Sequence, residues 1–105
     1  MRHHYAKEKL GSAVRSMATD KGNIRTRIWN AFLIFHTLSK NDFSVELQED
    51  WDFIYNSLTS QEPTYDKKGE VVSGKVQNTL KVLSEDKCVE IAERIVELET
   101  KLRYE

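Results

Sequence analysis

One stripe of apolar residues near the carboxyl end constrains the fold of this chain more than any other feature. Its members are spaced alternately three and four positions apart, which places them on one side of an α-helix. They are Cys88, Ile91, Ile95, Leu98 and Leu102. A seam of this kind is buried against other helices, so it predicts a helical bundle. Val89, Ala92 and Val96 widen the stripe, and we expect this helix to touch a second helix through them.

Apolar spacing of the same period predicts four further helices upstream. We place them at residues 5–19, 24–38, 45–58 and 71–83, and the last helix between an N-cap at Ser84 and Arg103. The second helix is apolar on nearly every side, which is typical of a central, buried helix. Residues 59–70 form a long polar loop, and residues 1–4 are expected to fray. The sequence therefore predicts an all-α, single-domain antiparallel bundle of about five helices over residues 1–105.

Size and composition narrow the class of protein further. A chain of 105 residues can bury one hydrophobic core but not two. Cys88 is the only cysteine, so no intrachain disulfide is expected, which favours a cytoplasmic location. The longest uninterrupted apolar run, residues 31–35, is far too short to span a bilayer, and no membrane association is expected.

Charge is distributed unevenly along the chain although the net charge is only −1. Residues 1–40 carry eight Lys or Arg and two Asp or Glu, whereas residues 41–70 carry two and eight. We call these the basic segment and the acidic segment. Two interpretations are open: neighbouring helices neutralise each other internally, or the two segments are offered to partners.

The corner between the first two helices invites a comparison with DNA-reading motifs. Ala18, Gly22 and Ile28 have the spacing of a helix-turn-helix. A recognition helix must keep one side open for base edges, however, and here that side would carry Trp29 and other apolar residues. The simpler prediction is a helix corner, in which Gly22 adopts the left-handed conformation that ends helix one and Asn23 caps helix two.

Three cations near this corner require a partner. Lys21 can complement the negative end of helix one, but Arg25 and Arg27 fall in the first turn of helix two, where the helix dipole disfavours cations. Either an internal group such as the acidic 59–70 loop lies next to them, or they contact an external anion or an acidic partner.

No catalytic, metal or cofactor motif emerges from the sequence. His3 and His4 are adjacent and do not have the spacing of metal ligands. His36 is interpreted as a packing residue, and Cys88 as a small core residue, because nothing nearby would activate a nucleophile. We therefore expect no enzymatic activity, no metal and no cofactor.

The outer face of helix three is the most suggestive surface. It carries an aromatic residue among acidic and polar ones: Glu46, Glu49, Asp50, Phe53 and Asn56. In one interpretation Phe53 packs under helix four or the long loop. In the other it is an exposed anchor within an acidic patch that captures a basic protein.

These features lead to two hypotheses about function. The first is a small protein-binding module without catalysis, most concretely a bacterial immunity or antitoxin-type inhibitor whose acidic helix-three face blocks a basic partner such as a toxin or nuclease. The alternative is a nucleic-acid-associated regulator that uses the basic segment. Phosphate binding weakens steeply with salt, so salt dependence separates the two.

Overall fold

Five α-helices and one short β-hairpin make up the fold of the described chain. The computed structural model describes residues 3–105. The helices are α1 (His4–Thr19), α2 (Ile24–Phe35), α3 (Val45–Leu58), α4 (Lys75–Val82) and α5 (Glu85–Arg103). A short 3-10 helix, Lys40–Asp42, leads into α3, and the antiparallel strands β1 (Thr64–Tyr65) and β2 (Val71–Ser73) lie between α3 and α4. The predicted all-α class is confirmed.

In two of the packed pairs, α1 with α2 and α3 with α5, the helices run antiparallel, as contacts at their ends show. Tyr5, near the start of α1, shares a 2.5 Å hydrogen bond with Thr37, just beyond the end of α2. In the same way Ser44, which precedes α3, donates to the carboxylate of Glu105, which follows α5. The last helix packs against α1, α2 and α3, so α5 connects the helices that precede the hairpin.

The buried apolar residues are those that the helical spacing selects, with one addition. The seam of α5 is completely buried along its length. Phe43, which lies between the predicted helices, is also buried, at 2% exposure. Its ring stacks on Trp51 at a centroid distance of 5.2 Å, and Trp51 meets Phe35 edge to face at 5.7 Å. This aromatic cluster joins the end of α2 to α3.

The second helix is central in its contacts but open on one side. It packs against α1, α4 and α5. Leu33 nevertheless remains 49% exposed, and Trp29 and Phe32 are only partly buried. The helix also ends at Phe35, three residues before the predicted end at residue 38. The chain turns there, which brings Leu38 into the core and leads into the 3-10 helix.

The predicted start of helix four at residue 71 is wrong. Val71–Ser73 is the second strand of the hairpin, and α4 begins only at Lys75, where the Gln77 side chain accepts the Gly74 N–H at 2.8 Å. Two adjacent β-branched valines favour an extended chain. Gly69, with φ of 81°, provides the left-handed residue that the hairpin turn requires. The polar loop therefore contains ordered secondary structure.

Two predictions concern the ends and the membrane. The expected fraying of residues 1–4 falls partly outside the described residues, and α1 begins already at His4. Within residues 3–105, no helix combines the length and the apolar character needed to cross a bilayer.

Candidate interaction surfaces

The outer face of α3 divides into an exposed part and a part that is held by α5. Glu46, Glu49 and Asn56 are exposed to solvent. Asp50 is not, because its side chain is only 18% exposed and lies between two cations of α5. Lys101 Nζ lies 2.9 Å from Asp50 Oδ2, and Arg94 lies 3.4 Å from Oδ1. The five residues selected from the sequence therefore share one helix but not one environment.

Phe53 is partly buried against α5. The guanidinium carbon of Arg94 lies 4.1 Å from the centre of the Phe53 ring, and Lys87 Nζ lies 5.0 Å from it. Each cation is within range of a cation–π interaction, which contributes about 0.5–1 kcal/mol at exposed sites. Phe53 thus joins α3 to α5, an environment that neither sequence interpretation anticipated.

The corner between α1 and α2 is built without a left-handed glycine, so that prediction is wrong. Among the described glycines only Gly69 has a positive φ. The chain leaves α1 in an extended conformation at Asp20, and the Asp20 carboxylate accepts the Gly22 N–H at 2.7 Å. Glycine is needed for another reason: a Cβ at position 22 would lie 2.8 Å from Thr26 Cγ2. The predicted cap is confirmed, since Asn23 Oδ1 accepts the Thr26 N–H at 3.0 Å.

The Asp20 carboxylate accepts two hydrogen bonds at this corner, and the first is the one from the Gly22 N–H. Asn30 Nδ2 donates to its second oxygen at 2.7 Å. The hydrogen bond from Asn30, then that from Gly22, and the nearby Arg27 guanidinium lower the pKa of the Asp20 carboxyl below its ordinary value. A carboxylate of this kind stabilises the fold while it is ionised. That contribution is fully present above the pKa of an unfolded aspartate and is lost as the pH falls through the lowered pKa.

Arg25 and Arg27 have internal partners, and these are backbone carbonyls. Arg25 Nη1 donates to the carbonyl oxygen of Leu80 and lies 3.6 Å from Cys88 Sγ. Arg27 Nε donates to the Gly22 carbonyl at 2.8 Å. Leu80 belongs to the last turn of α4, where unpaired carbonyls form the negative end of the helix dipole. Lys21 is exposed.

The histidines and the cysteine occupy different environments. His36 is exposed, with its ring centre 5.9 Å from that of Phe32. Cys88 is completely buried in the seam, as predicted, beside the Arg25 guanidinium. Among residues 3–105, no group of three or more histidine, cysteine, aspartate and glutamate side chains is arranged to hold a metal ion.

A surface that the sequence did not reveal is an open apolar groove between α1 and α5, which we call the α1/α5 groove. Its volume is about 480 Å³. Its apolar lining comes from three helices: Val14, Met17, Ala18, Ile24, Val89, Ala92 and Val96. Three charged residues complete it: Arg27, Glu93 and Glu97. The contact predicted for the wide side of α5 is only partial, because Val89 and Val96 remain 40% and 42% exposed.

Comparison with known proteins adds no relative to this description. No family model matches the sequence, and neither the curated proteins nor the solved structures give a match.

Proposed function

We propose that this protein is a small protein-binding module without catalytic activity, and that its acidic segment contacts a basic surface of a partner protein. In its most concrete form the protein is an immunity or antitoxin-type inhibitor that covers the basic site of a toxin or nuclease. The support comes from the way charge is distributed over the folded chain.

One observation carries the proposal: the basic and acidic segments do not neutralise each other. Among the described residues, Lys40–Asp52 is the only ion pair that joins residues 1–40 to residues 41–70, at 3.2 Å. The principal helix contacts explain this, because α3 packs against α4 and α5, while α1 packs against α2 and α5. Asp50 and Asp52 of α3 are paired with cations of other segments, but among the described residues Glu46 and Glu49 have no ion-pair partner and face solvent, where they can attract a basic partner over a distance.

The contact residues follow from the two environments on α3. Glu46, Glu49 and Asn56 are exposed and can meet a partner directly. Asp50 and Phe53 are held by Arg94 and form a fixed base for that surface. A preorganised surface loses less conformational entropy on binding than a mobile one.

A charge reversal with a matched control tests the proposal. The partner is first isolated by affinity capture from a nuclease-treated lysate of the native source, and its association rate is then measured with Glu49→Lys and with Glu8→Lys. Both glutamates are exposed on helices, one on α3 and one on α1. We expect Glu49→Lys to slow association at low salt by about threefold to tenfold, because long-range steering depends on rim charges.

Glu8→Lys is expected to leave the association rate nearly unchanged. An equal effect of both reversals, or a captured partner with an acidic surface, would contradict the proposal.

The nucleic-acid alternative stays a prediction, and no observation favours it specifically. Arg25 and Arg27 already donate to the Leu80 and Gly22 carbonyls, whereas a phosphate-binding cation needs its donors directed at the ligand.

A further inference from the structure

The α1/α5 groove presents an apolar stripe that the described chain covers only in part. Val89, Ala92 and Val96 repeat along α5 at helical spacing, and the two valines are about two-fifths exposed. The opposite side of α5 meets α3 through Lys87 and Arg94. The groove is therefore separate from the helix-three face.

The two helices that border the groove carry complementary charges. Arg15 of α1 is exposed, and so are Glu93 and Glu97 of α5. Val14 and Ala18 of α1 line the groove together with the Val89–Val96 stripe, whereas Lys7 and Gly11 lie on a second surface that α5 joins through Glu99 and Arg103, so α1 and α5 run antiparallel. Arg15 is therefore level with the part of α5 that carries the two glutamates. Among the described residues, no ion pair joins α1 to α5.

We propose that a second copy of this chain occupies the groove, related to the first by a twofold axis parallel to α1 and α5. This operation places α5 of one copy over α1 of the other, and it is the arrangement in which the Arg15 side of one copy meets the Glu93 and Glu97 side of the other. The four helices then form a bundle in which every neighbouring pair is antiparallel. The valine stripe of each α5 is covered by Val14 and Ala18 of the other copy.

The face is small for a dimer interface. The 16 residues of α1 are about 24 Å long, and two packed helices are about 20 Å wide. Two such faces bury on the order of 1,000 Å² in total, which is at the lower limit for specific interfaces. The dimer is therefore weak and forms at micromolar or higher concentrations. It goes beyond the proposed function, because it uses the side of α5 that faces away from α3.

Sedimentation equilibrium of the full chain, over concentrations from low micromolar to submillimolar, tests the dimer. We expect a monomer–dimer equilibrium in the wild type. Val96→Glu should weaken it at least about a hundredfold, because the twofold axis places the new charge in the apolar interface twice. The matched control is Val82→Glu, at an exposed valine outside the groove, which should not change the dissociation constant.

A charge swap tests the predicted pairing separately from the folding of either variant. Arg15→Glu and Glu93→Arg should each weaken the dimer about tenfold, since each repulsion occurs twice, and the double variant should restore it to within about threefold of the wild type. Glu49→Lys should leave the dimer unchanged, so this experiment and the partner-binding experiment can fail independently.

A wild type that stays monomeric throughout the range overturns the proposal, even if the groove then proves to take a helix of another protein. A dimer that Val96→Glu leaves intact, or a double charge swap that fails to restore association, overturns it as well.

Discussion

A single hydrogen bond decides the role of Arg25. In the first turn of α2 a cation is disfavoured by the dipole of its own helix. Its guanidinium, however, donates to the Leu80 carbonyl in the last turn of α4, where the dipole of that helix favours a cation. A residue that looks available for an external anion is therefore a connection between two helices.

Replacing Arg25 measures this internal role. Arg25→Gln shortens the side chain and leaves the partly buried Leu80 carbonyl without its donor, so we expect a loss of about 1–3 kcal/mol in the free energy of unfolding. Lys21→Gln removes one exposed charge from the same corner and should change stability by no more than about 0.5 kcal/mol. Urea unfolding followed by circular dichroism compares the two. Equal, small effects would show that the Arg25 hydrogen bond adds nothing to stability.

Local signals in the sequence were sufficient for some of these residues and not for others. Asn23 and Ser84 are recognisable as helix caps from their residue type and from their position just before an apolar helical pattern. In the structure each accepts the N–H of a residue three positions later. Phe53 could be placed on the outer side of α3 from periodicity, yet its cationic neighbours Lys87 and Arg94 come from α5. No short-range pattern encodes that contact. The sequence therefore predicted the position of the Phe53 ring on α3, but not the residues that surround it.

At the scale of elements, the predicted helix bounds are accurate where apolar residues follow the helical period without a competing pattern. The bounds of α3, Val45–Leu58, agree with the predicted ones at both ends, because its apolar residues repeat without interruption. The hairpin was missed, since Val71 and Val72 also fit a helical pattern and β2 pairs with a strand of only two residues. Asn78 holds the base of the hairpin by donating to the Glu62 carbonyl at 2.8 Å and to Thr64 Oγ1 at 3.0 Å. Such contacts follow from the fold and are not visible beforehand.

The corner between α1 and α2 can be tested with two glycines. Gly22→Ala places a Cβ against Thr26, so we expect a loss of about 1–3 kcal/mol in the free energy of unfolding. Gly11→Ala is the control, because nothing lies within 4 Å of a Cβ there and alanine favours the helix by about 0.5–1 kcal/mol. The midpoint of thermal unfolding should therefore fall in Gly22→Ala and rise in Gly11→Ala. A stabilising Gly22→Ala would mean that the corner adapts without cost.

At the scale of the whole molecule, one core unites the two parts of the chain on either side of the hairpin. The helix α5 packs against α1, α2 and α3, so the part after the hairpin completes the core of the part before it. The hairpin itself contributes little to this core, because Tyr65, Val71 and Val72 are all more than half exposed. In the same arrangement α1 and α3 both pack against α5 and make no principal contact with each other, and the proposed function rests on this separation.

Limited proteolysis tests this single core. Trypsin should cut first at Lys67 or Lys68, which are exposed at the tip of the hairpin, and a Lys67→Gln/Lys68→Gln variant should resist that cut. The two fragments should remain together on a native size-exclusion column and keep their helical circular dichroism signal, because the cut removes a connection but no core contact. They should separate in urea. Fragments that separate under native conditions would show that the helices on the two sides of the hairpin do not depend on each other. A first cut at Lys21 would show that the corner between α1 and α2, and not the hairpin tip, is the most accessible part of the chain.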